Sequence, residues 1–354
     1  MQQPNRPIRV MVVDDSMLAR SLIIKGLSAQ PRIEIVGYAI NAMDAKNKIP
    51  VLKPDVITMD VEMPGLSGID FVKQFLPTFP LPIILVSSLD LRVFDALAAG
   101  AVDFVRKPDG TQSNEAFITG LAQKIIVASC AKVRTPATAA ATAAAKNMPV
   151  SVLAELASST VLDQMIIGLG ASTGGTEATL EVMRRLPSNI PAMIVVQHMP
   201  TGFTKMYAER LNRLCKMEVR EAVNGDELHR GLALVAPADF QARVVRGPTG
   251  RYVLSCQPGD KVSGHRPSVD ALFLSMAETV RTKMTGIILT GMGRDGASGL
   301  LAMRQRGAYT IGQDKASSVV YGMPMVAQDI GAVQIQASCE NIAGVLVRHL
   351  NAVK

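Results

Sequence analysis

Three side chains suited to hydrolytic chemistry lie far apart in this 354-residue sequence, each just after an apolar run. Ser172 sits in Gly168-Leu169-Gly170-Ala171-Ser172-Thr173-Gly174-Gly175, His198 in Gln197-His198-Met199-Pro200, and Asp295 in Thr290-Gly291-Met292-Gly293-Arg294-Asp295-Gly296. A serine hydroxyl attacks a carbonyl only when a base removes its proton, and an imidazole serves as that base near neutral pH. A carboxylate then fixes the imidazole tautomer and stabilises the imidazolium. Ser172 occupies a G-x-S-x-G run, Gly170 to Gly174, where small residues permit a tight strand-to-helix turn. Such a turn presents the hydroxyl near the positive end of the following helix. Backbone N–H groups near Thr173 and Met292 are the expected oxyanion donors. A glycine-rich turn of this kind also cradles phosphates, but the Gly-Lys-Ser/Thr ending and the G-x-G-x-x-G spacing are absent.

Other residues compete for these roles. His265, in Gly264-His265-Arg266-Pro267-Ser268, is a rival base on a loop, whereas His198 ends a strand and is preferred. Asp270 or Asp314 is an alternative acid, although Asp270 fits the first turn of a helix, where acids favour the dipole. His229 and His349 read as surface residues. The chain order Ser…His…Asp differs from the Ser…Asp…His of α/β-hydrolases, so a different fold is expected.

A second constellation precedes the first. Asp14 and Asp15 follow one apolar run, Asp60 another, Ser87 ends a third and Lys107 follows a fourth. In an open parallel sheet the carboxyl ends of strands converge on one edge, so these groups can face one crevice. Gathered carboxylates repel, and a hard cation with oxygen ligands, Mg²⁺ before Ca²⁺, relieves that. One carboxylate can then attack a phosphoryl donor, with a lysine and a hydroxyl holding the phosphoryl oxygens.

Both constellations need strands to position them. In the first part, Ile8–Val13, Ile33–Ala39, Val56–Met59, Ile83–Ser87 and Ala101–Val105 read as strands alternating with amphipathic stretches, which predicts a five-stranded parallel sheet covered on both faces. From about Met165 a second α/β pattern begins, with strands expected at Met165–Leu169, Met193–Gln197, Leu232–Val235, Tyr252–Ser255, Gly286–Thr290 and Tyr309–Gly312. Between the two, Thr135–Ala145 is almost entirely Ala and Thr with no apolar stripe, and reads as a tether. The expected division is residues 1–130, a linker over 131–160, and residues 161–354.

Composition excludes several classes. No apolar run approaches the roughly 18 residues of a membrane-spanning helix, and the N-terminus lacks a signal-peptide core, so a cytoplasmic protein is expected. The four cysteines and four histidines are scattered, against a disulfide frame or a zinc cluster. Residues 1–130 carry 13 basic and 13 acidic residues, so the entire net charge of +7 falls on the remainder. With no Trp and 4% aromatic residues, the stacking groups of a single-strand binder are scarce, and an acidic protein surface is the favoured partner rather than nucleic acid.

The motifs also carry a resemblance. Val12-Val13-Asp14-Asp15-Ser16, Met59-Asp60-Val61-Glu62-Met63-Pro64-Gly65 and Lys107-Pro108 resemble the response-regulator receiver family over roughly residues 8–128. The resemblance implies a flavodoxin-like fold, Asp60 as phospho-acceptor and Asp14 and Asp15 as metal-site acids holding Mg²⁺ with it. Ser87 matches the switch hydroxyl, Phe104 the rotameric aromatic and Lys107 the phosphate-sensing lysine. The Ser172, His198 and Asp295 segments, with Gly264-His265-Arg266-Pro267-Ser268-Val269-Asp270, resemble the chemotaxis protein-glutamate methylesterases. That likeness implies a doubly wound, mainly parallel catalytic domain with Ser172 as nucleophile, His198 as base and Asp295 as orienting acid. Arg266 helps place the substrate. It further implies demethylation and deamidation of chemoreceptor cytoplasmic helices, a sensor histidine kinase as phosphodonor, a monomer, and no cofactor for ester hydrolysis.

Overall fold

The computed structural model describes residues 6–88, 92–110, 113–133 and 153–353, so the Ala/Thr tether lies outside the described residues. The chain divides into two compact units, Met1–Asn147 and Met148–Lys354.

In the first unit, β1 (Ile8–Val13), β2 (Ile33–Ala39), β3 (Val56–Asp60), β4 (Ile83–Ser87) and β5 (Asp103–Arg106) form a parallel sheet in the order β2-β1-β3-β4-β5. Five helices alternate with them: α1 (Met17–Ser28), α2 (Ala42–Leu52), α3 (Gly68–Phe75), α4 (Val93–Ala98) and α5 (Asn114–Ala128). This is the flavodoxin-like order expected from the sequence. β3 and β4 are buried at every position, as continuous apolar runs inside a two-sided sheet must be. Polar residues fix where helices begin. Ser16, Asn41, Ser67 and Ser113 each accept a backbone N–H in the first turn of α1, α2, α3 and α5, satisfying a donor that lacks an intrahelical partner.

The second unit contains a seven-stranded sheet built from β6 (Ile166–Ala171), β7 (Ala192–Gln197), β8 (Glu218–Glu221), β10 (Leu232–Val235), β13 (Met284–Ile288), β14 (Tyr309–Gln313) and β15 (Ile335–Ala337). Its order is β15-β14-β13-β6-β7-β10-β8, and every pairing is parallel. From β6 the chain first winds outward through β7 and later returns to add β13 on the other side. The strand order therefore reverses at β6, the kind of switch point that opens a crevice at the carboxyl edge. Among the described residues, seven helices accompany this unit: α6 (Thr160–Gln164), α7 (Gly175–Met183), α8 (Phe203–Leu214), α9 (Val269–Thr279), α10 (Ala297–Gln305), α11 (Met323–Asp329) and α12 (Cys339–Ala352).

Sequence patterning missed several elements. β11 (Gln241–Arg246) and the two-residue β9 (Asp226–Glu227) were not expected; both pair antiparallel with β12 (Tyr252–Gln257), where a strand was expected at Tyr252–Ser255. Arg243, Arg246 and an exposed Val245 broke the apolar alternation in β11. The edge strands β8 and β15 bury too few residues to stand out. The expected strand at Gly286–Thr290 begins and ends two residues earlier, leaving Leu289 and Thr290 to lead into the loop toward Asp295. Among the described residues, no helix is long and apolar enough to cross a membrane.

Candidate active site

Ser172 follows β6, His198 follows β7 and Asp295 lies in the loop between β13 and α10, so neighbouring strands deliver all three to one edge. Backbone bonds lock those strand ends together: His198 N–H donates to Ala171 O (3.2 Å) and Ser172 N–H to Thr290 O (3.0 Å). His198 bridges the other two groups, with Nδ1 3.2 Å from Ser172 Oγ and Nε2 2.8 Å from Asp295 Oδ2. An ionised carboxylate only accepts, so Nε2 carries the hydrogen and Nδ1 is left to accept from the serine hydroxyl. The bridge is partly sheltered, with His198 10% and Asp295 1% exposed at their side chains, which strengthens its electrostatics.

Asp295 is held at the start of a helix to which it does not belong. Its Oδ1 accepts from Ser268 Oγ (2.7 Å) and Asp270 N–H (2.9 Å), and its Oδ2 from Val269 N–H (2.8 Å). Ser268 is the N-cap of α9, so the carboxylate sits where unpaired N–H groups and the helix dipole favour negative charge. Burial works to raise its pKa, but the His198 hydrogen bond and charge, with the Asp270 and Ser268 donors, hold it below the ordinary carboxylate value.

Small residues let the nucleophile turn fit. A Cβ on Gly291 would lie 2.7 Å from Ser172 Cβ and 2.3 Å from Met323 Sδ, so the loop after β13 passes the serine at backbone contact. Gly174 holds φ +76° where the chain enters α7. Thr173 and Met292, the expected oxyanion donors, directly follow Ser172 and Gly291, the two residues in that contact. Thr173 is buried and its carbonyl accepts from Thr290 Oγ1 (3.0 Å), while Met292 is half exposed.

The crevice of the first unit gathers the other constellation. Asp14, Asp15 and Asp60 each place a carboxylate oxygen so that all three lie within 4.8 Å of one another. Lys107 Nζ stands 2.6 Å from Asp60 Oδ2 and 3.2 Å from Asp14 Oδ2. Burial raises the Asp60 pKa above its ordinary value despite the Lys107 hydrogen bond and charge. Burial also works to lower Lys107, but pairing with Asp60 and Asp14 prevails and raises it. β3 and β4 pair Asp60 with Val86, which puts Ser87 one residue beyond the partner of Asp60. Ser87 is fully buried, and among the described residues its Oγ makes no hydrogen bond. Lys107 N–H donates to Ser87 O (2.8 Å), and an orphan hydroxyl on the strand next to that of Asp60 fits a pocket completed by a cation and a phosphoryl group. Phe104 is buried, edge-on to Phe94 with ring centroids 6.3 Å apart.

Residues 167–346 match the family described as CheB methylesterase, and residues 10–116 match the response regulator receiver domain. A protein of Syntrophomonas wolfei named protein-glutamate methylesterase/protein-glutamine glutaminase 2 is 45% identical over 348 residues, covering 98% of each chain. The chain belongs to the CheB methylesterase family. A Pseudomonas aeruginosa protein of the same name is 42% identical over 97% of each chain. The crystal structure of the Thermotoga maritima CheB methylesterase catalytic domain, 34% identical, covers 52% of this chain and 97% of its own with a TM-score of 0.50.

Within this member of the CheB methylesterase family, the rival residues fall differently. Asp295, rather than Asp270 or Asp314, meets His198. Asp270 occupies the first turn of α9, accepting from Ser263 Oγ and Gly299 N–H (both 2.8 Å), and Asp314 accepts from Ser317. His265 belongs to the site after all: its ring stacks on His198 with centroids 3.7 Å apart and planes 9° apart. The guanidinium of Arg266 is engaged within its own region, donating to Gly259 O (2.7 Å) and lying 3.6 Å from Asp239. His229 is exposed, but His349 is half-buried and stacked on Tyr309 at 3.9 Å, which corrects the surface reading. Sequence reasoning missed Ser268, which the structure shows as the N-cap of α9, and Gln197. The Gln197 amide donates to Ser172 O (2.8 Å) and His198 O (3.2 Å), tying the two residues together.

Proposed function

We propose that this protein removes methyl groups from glutamate methyl esters of chemoreceptors, releasing methanol, and deamidates receptor glutamines, under control of phosphorylation at Asp60. The observation that carries the reading is the His198 bridge, with one ring nitrogen toward the Ser172 hydroxyl and the other toward Asp295. Ser172 Oγ attacks the ester carbonyl as its proton passes to His198 Nδ1. Asp295 stabilises the resulting imidazolium, and the proton then leaves with methanol. Water, deprotonated by the same imidazole, hydrolyses the acyl-enzyme to free glutamate. An amide follows the same route with ammonia as leaving group, because both pass through one tetrahedral intermediate. Backbone N–H groups at Thr173 and Met292 receive the oxyanion, and Arg266 orients the substrate.

Asp14, Asp15 and Asp60 would hold Mg²⁺ in the receiver, where its charge would offset the gathered carboxylates and an incoming phosphate. Ester hydrolysis uses the chain's own groups. A sensor histidine kinase supplies the phosphoryl group, Ser87 and Lys107 hold its oxygens, and Phe104 moves with them. The receiver extends over residues 1–130, the tether over 131–160 and the catalytic domain over 161–354, in a cytoplasmic monomer acting on receptor cytoplasmic helices. The unphosphorylated receiver restrains the catalytic domain, and phosphorylation lifts that restraint through the differential energy of two receiver states.

Methanol release from methylated receptor tests this reading. Wild type releases methanol faster with phosphodonor, Ser172→Ala releases none, and deleting residues 1–147 raises the rate above that of the unphosphorylated full chain. Release that persists in Ser172→Ala overturns the nucleophile, and no rise on deletion overturns the restraint.

A further inference from the structure

His265 reads from sequence as a competitor of His198, yet the fold makes the two rings partners. Their centroids lie 3.7 Å apart with planes within 9° of parallel. The loop that carries His265 is pinned beneath that stack. His265 N–H donates to Val262 O (2.9 Å), Val262 N–H returns to His265 O (3.0 Å), and Gln241 Nε2 donates to the same carbonyl (3.0 Å). Gln241 also accepts Ser268 N–H at 2.9 Å, so one buried amide fixes both the His265 loop and the cap that holds Asp295.

We propose that His265 is a positioning residue for the hydrolysis, its ring holding His198 in the plane that joins Ser172 to Asp295. The inference rests on the hydrolase reading above. Hydrogen bonds at both nitrogens fix the in-plane direction of an imidazole but leave it free to tip, and a flat ring against its face removes that freedom. During acylation the Ser172 proton moves to His198 Nδ1, and His198 becomes cationic. A neutral ring stacked on an imidazolium offers its π-face to the charge. Asp295 faces His198 from the β13 loop, and Asp270 reaches the His265 loop through Ser263 from the start of α9. Arg266, beside Asp239, is the adjacent cation on the loop itself.

The test uses the full chain carrying His265→Phe, which keeps a flat ring without a titrating proton, and His265→Ala, which removes the ring. Methanol release is followed from pH 5.5 to 8.5, the rate of Ser172 labelling by a fluorophosphonate is measured in parallel, and thermal unfolding checks that each variant folds. His265→Ala is expected to lose about tenfold in kcat at pH 8 with KM within twofold. His265→Phe is expected to keep at least half of kcat at pH 8. If a folded His265→Ala matches wild type, or His265→Phe falls as far as His265→Ala, positioning by the stacked ring is wrong. Should wild type release no methanol while Ser172 still labels, the substrate assignment fails instead, and the labelling rates of the same variants decide the part played by His265.

Discussion

Ser268 Oγ donates to Asp295 Oδ1 at 2.7 Å while the same hydroxyl accepts Ala271 N–H at 3.2 Å, so one side chain both begins α9 and fastens the acid of the active site. Stability of the helix and orientation of His198 are thereby coupled. Ser268→Ala removes a cap and a donor to a buried carboxylate, and is expected to cost about 1–2 kcal/mol of stability. Methanol release should fall with it, while Ser268→Thr, which keeps the hydroxyl, should recover most of both. Chemical denaturation and the esterase rate check the pair.

Gly291 is expected to tolerate no side chain. A Cβ there meets Ser172 and Met323 closer than real contacts allow, so Gly291→Ala must push the nucleophile or the loop aside. A displacement on the order of 1 Å costs about a hundredfold in rate. Fluorophosphonate labelling of Ser172 should slow accordingly, with Tm lowered by only a few degrees.

Asp295 gives stability a definite pH dependence. Its carboxyl is held below the ordinary value in the folded state, so its contribution is complete above that value and is lost as pH falls through the folded one. The stability difference between wild type and Asp295→Asn should therefore be largest near neutrality and shrink on acidification below about pH 4. Urea unfolding at a series of pH values reads this directly. At neutral pH, methanol release by Asp295→Asn should drop by on the order of a thousandfold or more, because the amide no longer favours the required tautomer.

The receiver pocket should respond to a divalent cation. Three carboxylates within 4.8 Å repel less when Mg²⁺ binds, and a ligand that binds only the folded state raises Tm with concentration. Asp60→Asn should shrink that rise and abolish labelling by a small-molecule phosphodonor, and chelation should do the same in wild type. Ser87→Ala should still accept the phosphoryl group but lose most of the stimulation of methanol release. Full stimulation in that variant would remove Ser87 from the switch.

Local pattern carried much of this protein. The apolar runs of β1, β3, β6 and β7 announced buried parallel strands because both faces of such strands are covered, and the acidic and serine motifs mark where those runs end. Residue order also placed Asp270 in the first turn of α9 through its helical spacing. What only the tertiary structure decided is who meets whom. Asp295 prevails over Asp270 and Asp314 because the loop after β13 folds onto the amino end of α9, whose free N–H groups stabilise a carboxylate there. His265 turns from rival into neighbour because a loop distant in sequence is laid against β7's end. Gln197 and Ser268 carry no chemical signature of their own, since a buried amide and a helix cap act through groups that the chain brings near only when folded. Periodicity reports burial, a property of each segment, while a hydrogen bond between residues 97 positions apart depends on the register and winding of the whole sheet.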